Sequence, residues 1–125
     1  MNMTVQDAAN QLMIRIVGFQ NHLNTIPGRV DAICTGPHPD HGLLVLKWHR
    51  DGSSWIISYS QSTSDNLADH IVYTPLKDAP LKIKIAAVRL FPKMLEATEK
   101  SQLDKVDEIN RAIAEYDEFA KGLKR

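Results

Sequence analysis

Two histidines and an aspartate stand within four positions of a proline-rich stretch, TGPHPDH, at residues 35–41. Imidazole and carboxylate groups at this spacing could ligate a metal ion or exchange protons with a substrate. The same residue types are typical of an exposed turn, because proline restricts φ and aspartate accepts local backbone hydrogen bonds. We favour the exposed turn and keep His38, Asp40 and His41 as weak candidates for a metal or acid–base site.

The stretch resembles the T-H-x-H-x-D-H motif of the zinc hydrolases of the metallo-β-lactamase fold, with Thr35, His38, Asp40 and His41 at matching positions. It departs from the motif because Gly36 replaces the first histidine and a strand-like run follows where that family has a helix. The resemblance implies a metal-dependent hydrolase, which is the least favoured of our hypotheses. It covers only residues 35–41, so we assign the chain to no family and expect no cofactor.

The remaining reactive side chains have no recognisable partner. Cys34, the only cysteine, is typical of a small buried strand residue. His49 falls on the polar face of a predicted strand, where an exposed position is the simplest interpretation. The six glycines are scattered and form no phosphate-binding loop. We therefore favour a protein that is not an enzyme.

Three aromatic residues could form a binding surface. Trp48, Trp55 and Tyr59 share one face of a predicted β-hairpin. The favoured interpretation is that they anchor a core beneath a helix. If no helix covers them, they would form a platform for a flat ligand or a partner protein.

A set of basic residues offers a second surface. Lys82, Arg89, Lys93 and Lys100 recur at spacings of seven, four and seven, which places them on one face of a predicted helix. The favoured interpretation is a solvated face. The alternative is a contact surface for a nucleotide phosphate or for a partner's carboxylates.

Composition narrows the class of protein. The 125 residues carry no net charge, which disfavours binding to nucleic acid through overall attraction. Residues 1–76 hold four basic and six acidic residues, and the remainder holds eleven basic and nine acidic ones. The first residues lack the pattern of a signal peptide, and no run approaches the ~20 apolar residues of a membrane span. We expect a cytoplasmic protein.

The first helix is predicted from a capping signal and an apolar period. Thr4 and Asp7 can cap the first turn, and the helix should end before Pro27. Apolar residues follow at spacings of three and four, with others widening the stripe, at Val5, Ala8, Leu12, Met13, Ile14, Ile16, Val17, Phe19 and Leu23. A stripe this wide indicates burial on more than one side, to which a partner subunit would contribute.

Strands occupy the middle of the chain. Residues 29–34 alternate as a short strand, and residues 71–76 suit an edge strand after a polar connection at 61–70. Between them, Asp51-Gly52 separates two apolar-rich runs, which predicts a hairpin with a two-residue loop. That loop would place Trp48 opposite Trp55 and one apolar face toward the core.

Two helices are predicted at the end of the chain. The first begins near Asp78 and should be kinked or divided at Pro92. Ser101 and Asp104 indicate a new helix start, after which apolar residues repeat at alternating spacings of three and four. This pattern resembles the a and d positions of a coiled coil and suits pairing with a second copy. Its residues are Val106, Ile109, Ile113, Tyr116, Ala120 and Leu123.

These elements predict one α+β domain over residues 1–125: an N-terminal helix, a three- to four-stranded antiparallel meander with a tight Asp-Gly hairpin, and two C-terminal helices packed as a helical hairpin. We expect a homodimer or higher oligomer, resembling small proteins encoded by phages and mobile elements. Its favoured function is capture of an anionic small molecule such as a nucleotide, through Lys82, Arg89, Lys93, Trp48, Trp55 and Tyr59. The alternative is a protein–protein adaptor or an inhibitor of a host protein.

Overall fold

The computed structural model describes residues 3–62 and 72–123. In chain order the elements are α1 (Val5–Asn24), β1 (Ala32–Pro37), β2 (Leu43–Asp51), β3 (Ser54–Ser62), β4 (Thr74–Pro75), a short 3-10 helix (Leu76–Asp78), α2 (Leu81–Arg89) and α3 (Phe91–Leu123). The four strands form an antiparallel sheet in the order β1-β2-β3-β4. The predicted α+β fold is confirmed. Of the polar connection predicted at 61–70, residues 61 and 62 belong to β3 and the rest lies outside the described residues, as does residue 71 of the predicted edge strand.

The capping box at the start of α1 is confirmed. Thr4 Oγ1 accepts the backbone N–H of Asp7 at 3.1 Å, and the Asp7 carboxylate accepts the N–H of Thr4 at 3.2 Å. Ile16 and Leu23 are buried against the sheet. The opposite side of the helix is open, and Ile14 is 60% exposed. Within the described chain, α1 is therefore buried on one side only.

Strand β1 begins and ends three residues later than predicted. Pro37 pairs with Leu43, and the His38 N–H donates to the Gly42 carbonyl, so the turn is limited to residues 38–42. Burial at Gly36 explains the extension of the strand. A Cβ added there would lie 2.9 Å from Leu90 Cδ1, so the missing side chain lets helix and strand approach closely.

The β2–β3 hairpin is tight, but its predicted loop is wrong by one position. Asp51 pairs with Ser54, so the loop consists of Gly52 and Ser53. Gly52 has a φ of 64°, whereas Ser53 lies outside the positive range. Positive φ at the first loop residue only is the signature of a type II′ turn, which favours glycine at that position.

The shifted loop changes the strand partners but not the faces. Trp48 lies opposite Ile57 instead of the predicted Trp55. Each residue has exchanged its partner for one two positions away, and side chains alternate with a period of two. Leu44, Leu46 and Ile57 therefore still point into the core, as predicted.

The two C-terminal helices are present, but their boundary lies at Leu90 rather than near Ser101. Pro92 is the second residue of α3, where a missing N–H removes no helical hydrogen bond. Ser101 lies inside α3, so the predicted cap there is wrong. The expected packing of the last helix against its predecessor is also wrong for its second half, because residues 103–119 are all exposed.

One core forms between the sheet and the helices. Phe19 of α1 stacks on Phe91 of α3 with ring centroids 4.2 Å apart, which joins the two helices above the sheet. The principal core residues come from all three helices and from β2 and β3: Ile16, Leu23, Leu44, Leu46, Trp48, Ile57, Ile83, Ala87, Phe91 and Met94.

Candidate functional site

The histidine-containing turn is organised by its own hydrogen bonds. The Asp40 N–H donates to His38 Nδ1 at 3.0 Å, and Lys82 Nζ lies 2.6 Å from the Asp40 carboxylate. The hydrogen bond from Lys82 lowers the pKa of Asp40. Among residues 3–62 and 72–123, no group of three or more His, Cys, Asp and Glu side chains is arranged to hold a metal ion. This geometry favours a structural role, in which Asp40 ties the turn to α2.

The outer face of the sheet is more enclosed than predicted. His49 is half-buried rather than exposed, and its Nε2 lies 2.8 Å from Ser58 Oγ. The Tyr73 ring lies 6.1 Å from the His49 ring and 5.1 Å from Lys47 Nζ, and burial raises the pKa of Tyr73. Ser58 is 1% exposed, so the His49–Ser58 pair is closed to a substrate and serves the fold.

The prediction that Trp48 contributes to a ligand-binding surface is wrong. It is buried beneath the helices with 1% of its surface exposed, so no ligand can stack on it. Trp55 and Tyr59 are half-buried and pack against the same core. The guanidinium carbon of Arg29 lies 5.9 Å from the centroid of the Trp55 ring, and both residues line a surface depression. Trp48 therefore belongs to the core, whereas Trp55 and Tyr59 keep part of their surface open to solvent.

The basic set is divided between two helices. Lys82 and Arg89 lie on α2, and Lys93 and Lys100 lie on α3 beyond the break at Leu90. Lys82 binds Asp40, Lys93 Nζ donates to the Thr35 carbonyl at 2.5 Å, and Lys100 lies 3.1 Å from Asp104. Three of the four ammonium and guanidinium groups thus have partners within the chain.

A shallow cleft of about 350 Å³ lies between the edge strand β1 and α3. It is lined by the charged residues Lys93, Lys100 and Glu96. The other lining residues are small or apolar: Ile33, Cys34, Thr35 and Ala97. Burial raises the pKa of the Cys34 thiol, and the nearby Lys93 ammonium offsets part of that rise. The thiol is therefore held in its neutral form, and the two ammonium groups share the lining with the Glu96 carboxylate.

The second half of α3 carries the largest unpaired apolar surface in the described chain. We call the residues at its a and d positions the seam: Val106, Ile109, Ile113, Tyr116, Ala120 and Leu123. The five large ones are 49–63% exposed. Leu103 and Phe119 flank the seam and are also exposed. The sequence predicted the seam; it missed Leu103 and Phe119, although both lie three residues from a seam position.

A smaller apolar surface lies on α1. Met13, Ile14 and Val17 line a depression of about 380 Å³ together with Asn10. Their spacings of three and four put them on one side of the helix. The residues widen the apolar stripe as the sequence predicted, but only Met13 packs against the core, and Ile14 and Val17 are exposed.

Comparison of the chain with known proteins finds no matching family model, no matching curated protein and no matching solved structure. None of the described helices combines the length and the apolar character needed to cross a membrane. Among the described elements, the second half of α3 carries the most exposed large apolar side chains.

Proposed function

We propose that the chain is a non-catalytic protein-interaction module that associates with a second copy through the seam of α3. The observation that carries the proposal is the exposure of all five large seam residues. Five large apolar side chains repeat along a helix segment of 18 residues, which spans about 27 Å. A contiguous apolar surface of this kind is unusual on a monomer and marks an interaction site.

The polar faces of α3 are consistent with pairing. Three ion pairs form within the helix, Lys100–Asp104, Lys105–Glu108 and Lys121–Glu118, and none involves a seam position. Each such pair stabilises a helix by about 0.2–0.5 kcal/mol. The charged residues therefore support the helix and leave its apolar stripe open to a partner.

Helix stability gives a second reason for pairing. Residues 103–119 of α3 are all exposed, so this part of the helix gains little from packing within one copy. Most helical stability in proteins comes from packing of an apolar face. Association through the seam would supply that packing. We call residues 3–105, which contain α1, the sheet, α2 and the first part of α3, the body of the chain. Association through the seam would also join two such bodies, as an adaptor requires.

The oligomeric state tests the proposal. Light scattering over roughly a hundredfold range of concentration should give twice the chain mass of 14.1 kDa. Ile113→Asp places a charge in the seam and should raise the dissociation constant more than about tenfold, equivalent to ~1.4 kcal/mol. Ala114→Asp adds the same charge one residue away on the exposed helix and should leave the mass unchanged. A monomer at every concentration would refute self-association.

The cleft between β1 and α3 supports a second candidate function, capture of an anionic small molecule such as a nucleotide. The observation that favours it is that Lys93 and Lys100, two turns apart on α3, both line the cleft. Its volume of about 350 Å³ is at the lower end of the range for small-molecule sites. Trp48 has no part in this version, and Lys82 and Arg89 do not line the cleft.

Thermal shift against ATP, GTP and their diphosphates tests this candidate. A ligand present at about 100 times its dissociation constant should stabilise the fold by ~2.7 kcal/mol. Lys93→Ala should abolish the shift, and Lys121→Ala, at the far end of α3, should preserve it. No shift with any nucleotide, or an equal shift in both variants, would argue against the cleft as the binding site.

A further inference from the structure

We infer that the two seams pair in antiparallel orientation, with Ile113 of each copy facing the partner's Tyr116. The inference rests on the proposed self-association and adds its geometry. The seam spacings are three, four, three, four and three, so the pattern reads the same in both directions. A helix with this symmetry can lie against its own reversed copy with every seam position matched.

Side-chain sizes favour the reversed alignment. Antiparallel pairing puts Val106 against the partner's Leu123, Ile109 against the partner's Ala120, and Ile113 against the partner's Tyr116. Each layer then joins a larger side chain with a smaller one or with one of different shape. Interiors pack at nearly constant density, and facing layers fill space best when large and small residues alternate.

Parallel pairing would distribute the same residues poorly. It would place Tyr116 against the partner's Tyr116 and Ala120 against the partner's Ala120 in adjacent layers. The first layer would be crowded by two phenol rings, and the second would leave a void between two methyl groups. Voids and overpacking both destabilise an apolar interface.

The residues beside the seam are consistent with the same register. Phe119 would lie over the partner's Ala112, which leaves room for its ring. On the other side, Asn110 would lie near the partner's Asp117, so an amide N–H could donate to a carboxylate. Phe119 is 63% exposed in a single copy, and this contact would cover it.

The position of the folded body sets the end of the contact. Lys105 still lines a surface depression with Gly28, Asp31 and Trp55, and Gln102 Nε2 donates to the Gly28 carbonyl at 2.7 Å. Val106 is therefore the first seam residue clear of the body, and it faces the partner's Leu123. The two bodies would lie at opposite ends of the paired helices, so their sheets and clefts stay separate and the dimer presents two copies of each.

Disulfide trapping in the full chain tests the orientation. The buried Cys34 is first replaced by alanine, and Val106→Cys and Leu123→Cys are then made separately on that background. A tagged Val106→Cys chain is mixed with an untagged Leu123→Cys chain, equilibrated and oxidised with a glutathione buffer. Antiparallel pairing predicts that mixed dimers exceed the half expected from random pairing and that Val106→Cys alone forms few cross-links.

The possible outcomes separate the two proposals. Efficient cross-linking of Val106→Cys to itself, with the mass still twice that of one chain, would overturn antiparallel pairing and leave self-association intact. A monomeric mass for the Cys34→Ala background and for the unmodified chain would overturn both. Circular dichroism of each variant checks that the exposed substitutions leave the fold unchanged.

Discussion

Trp48 and Trp55 lie on the same face of the sheet with ring centroids 5.6 Å apart, but they differ in burial. Trp48 is enclosed, whereas Trp55 is half-buried beside Arg29. We predict that Trp48→Ala lowers the free energy of unfolding by about 3–5 kcal/mol, because it removes a filled core position. Trp55→Ala should cost about 1–2 kcal/mol. Urea denaturation measures both, and equal losses would contradict the assignment of Trp48 to the core.

Alanine substitution of Gly52 tests the backbone conformation of the hairpin turn, and the same substitution of Gly18 in α1 is the comparison. Gly52 has a φ of 64°, where an L-residue is strained, so Gly52→Ala should lower the free energy of unfolding by about 1–2 kcal/mol. Gly18 lies within α1 with open space around it, and Gly18→Ala should raise it by about 0.4–1 kcal/mol. Chemical denaturation of both variants compares the same change in two backbone contexts. A stabilising Gly52→Ala would contradict the type II′ turn.

The Asp40–Lys82 pair gives a pH-dependent contact at the turn between β1 and β2. The pKa of Asp40 is lowered in the folded state by the hydrogen bond from Lys82. The pair therefore stabilises the fold above the unfolded-state pKa of the carboxyl group, and this contribution is lost as the pH falls through the folded-state pKa. Lys82→Ala should raise the pKa of Asp40 in a carboxyl NMR titration. Lys84→Ala is the control and should leave it unchanged.

At the scale of elements, Gly36 allows β1 to pack closely against Leu90, the residue between α2 and α3. A Cβ there would approach Cγ and both Cδ atoms of Leu90, which is itself buried. We predict that Gly36→Ala lowers the free energy of unfolding by about 1–3 kcal/mol. In a double-mutant cycle with Leu90→Ala, the combined loss should be at least ~0.5 kcal/mol smaller than the sum of the single losses. Additive losses would show that the two residues are not in contact.

In the β2–β3 hairpin, the local sequence determines which face of each strand is buried, but not which residues pair across the two strands. The alternation of apolar residues predicted the buried face correctly, because a shift of two residues between partners leaves every side chain on its side. The choice between Asp51-Gly52 and Gly52-Ser53 as the loop is a choice between a type I′ turn, with positive φ at both residues, and a type II′ turn, with glycine at the first. Both pairs contain a residue that tolerates positive φ, so the local signal was ambiguous.

The continuity of α3 shows the opposite case, in which tertiary contacts override a capping signal. Ser101 and Asp104 have the types expected at a helix start, yet the helix runs through them. Thr98 is buried just before this point, and Gln102 binds the Gly28 carbonyl just after it. Contacts on both sides of Ser101 hold the helical path, so no new start is needed there.

At the scale of the whole molecule, association and helix content should be coupled. Residues 103–123 provide about a third of the helical residues in α1, α2 and α3, which contain 20, 9 and 33 residues. We predict that dilution below the dissociation constant lowers the far-ultraviolet circular dichroism of the helices by up to about a third. Ile113→Asp should show the reduced signal at every concentration. A signal independent of concentration in a protein shown to dissociate would contradict the coupling.

The sequence by itself determined the order of helices and strands, the core face of the hairpin, the cap of α1 and the seam of α3. These features depend on residues close in the chain, whose periodicity and turn chemistry act locally. Only the tertiary structure decided that Trp48 is covered, that Lys82 and Lys93 have partners, and that α3 extends beyond the body. Each of these depends on contacts between distant segments, such as Lys82 with Asp40 and Lys93 with Thr35. Because residue spacing describes only one element at a time, it could not show which polar groups were already paired or which apolar face was left open.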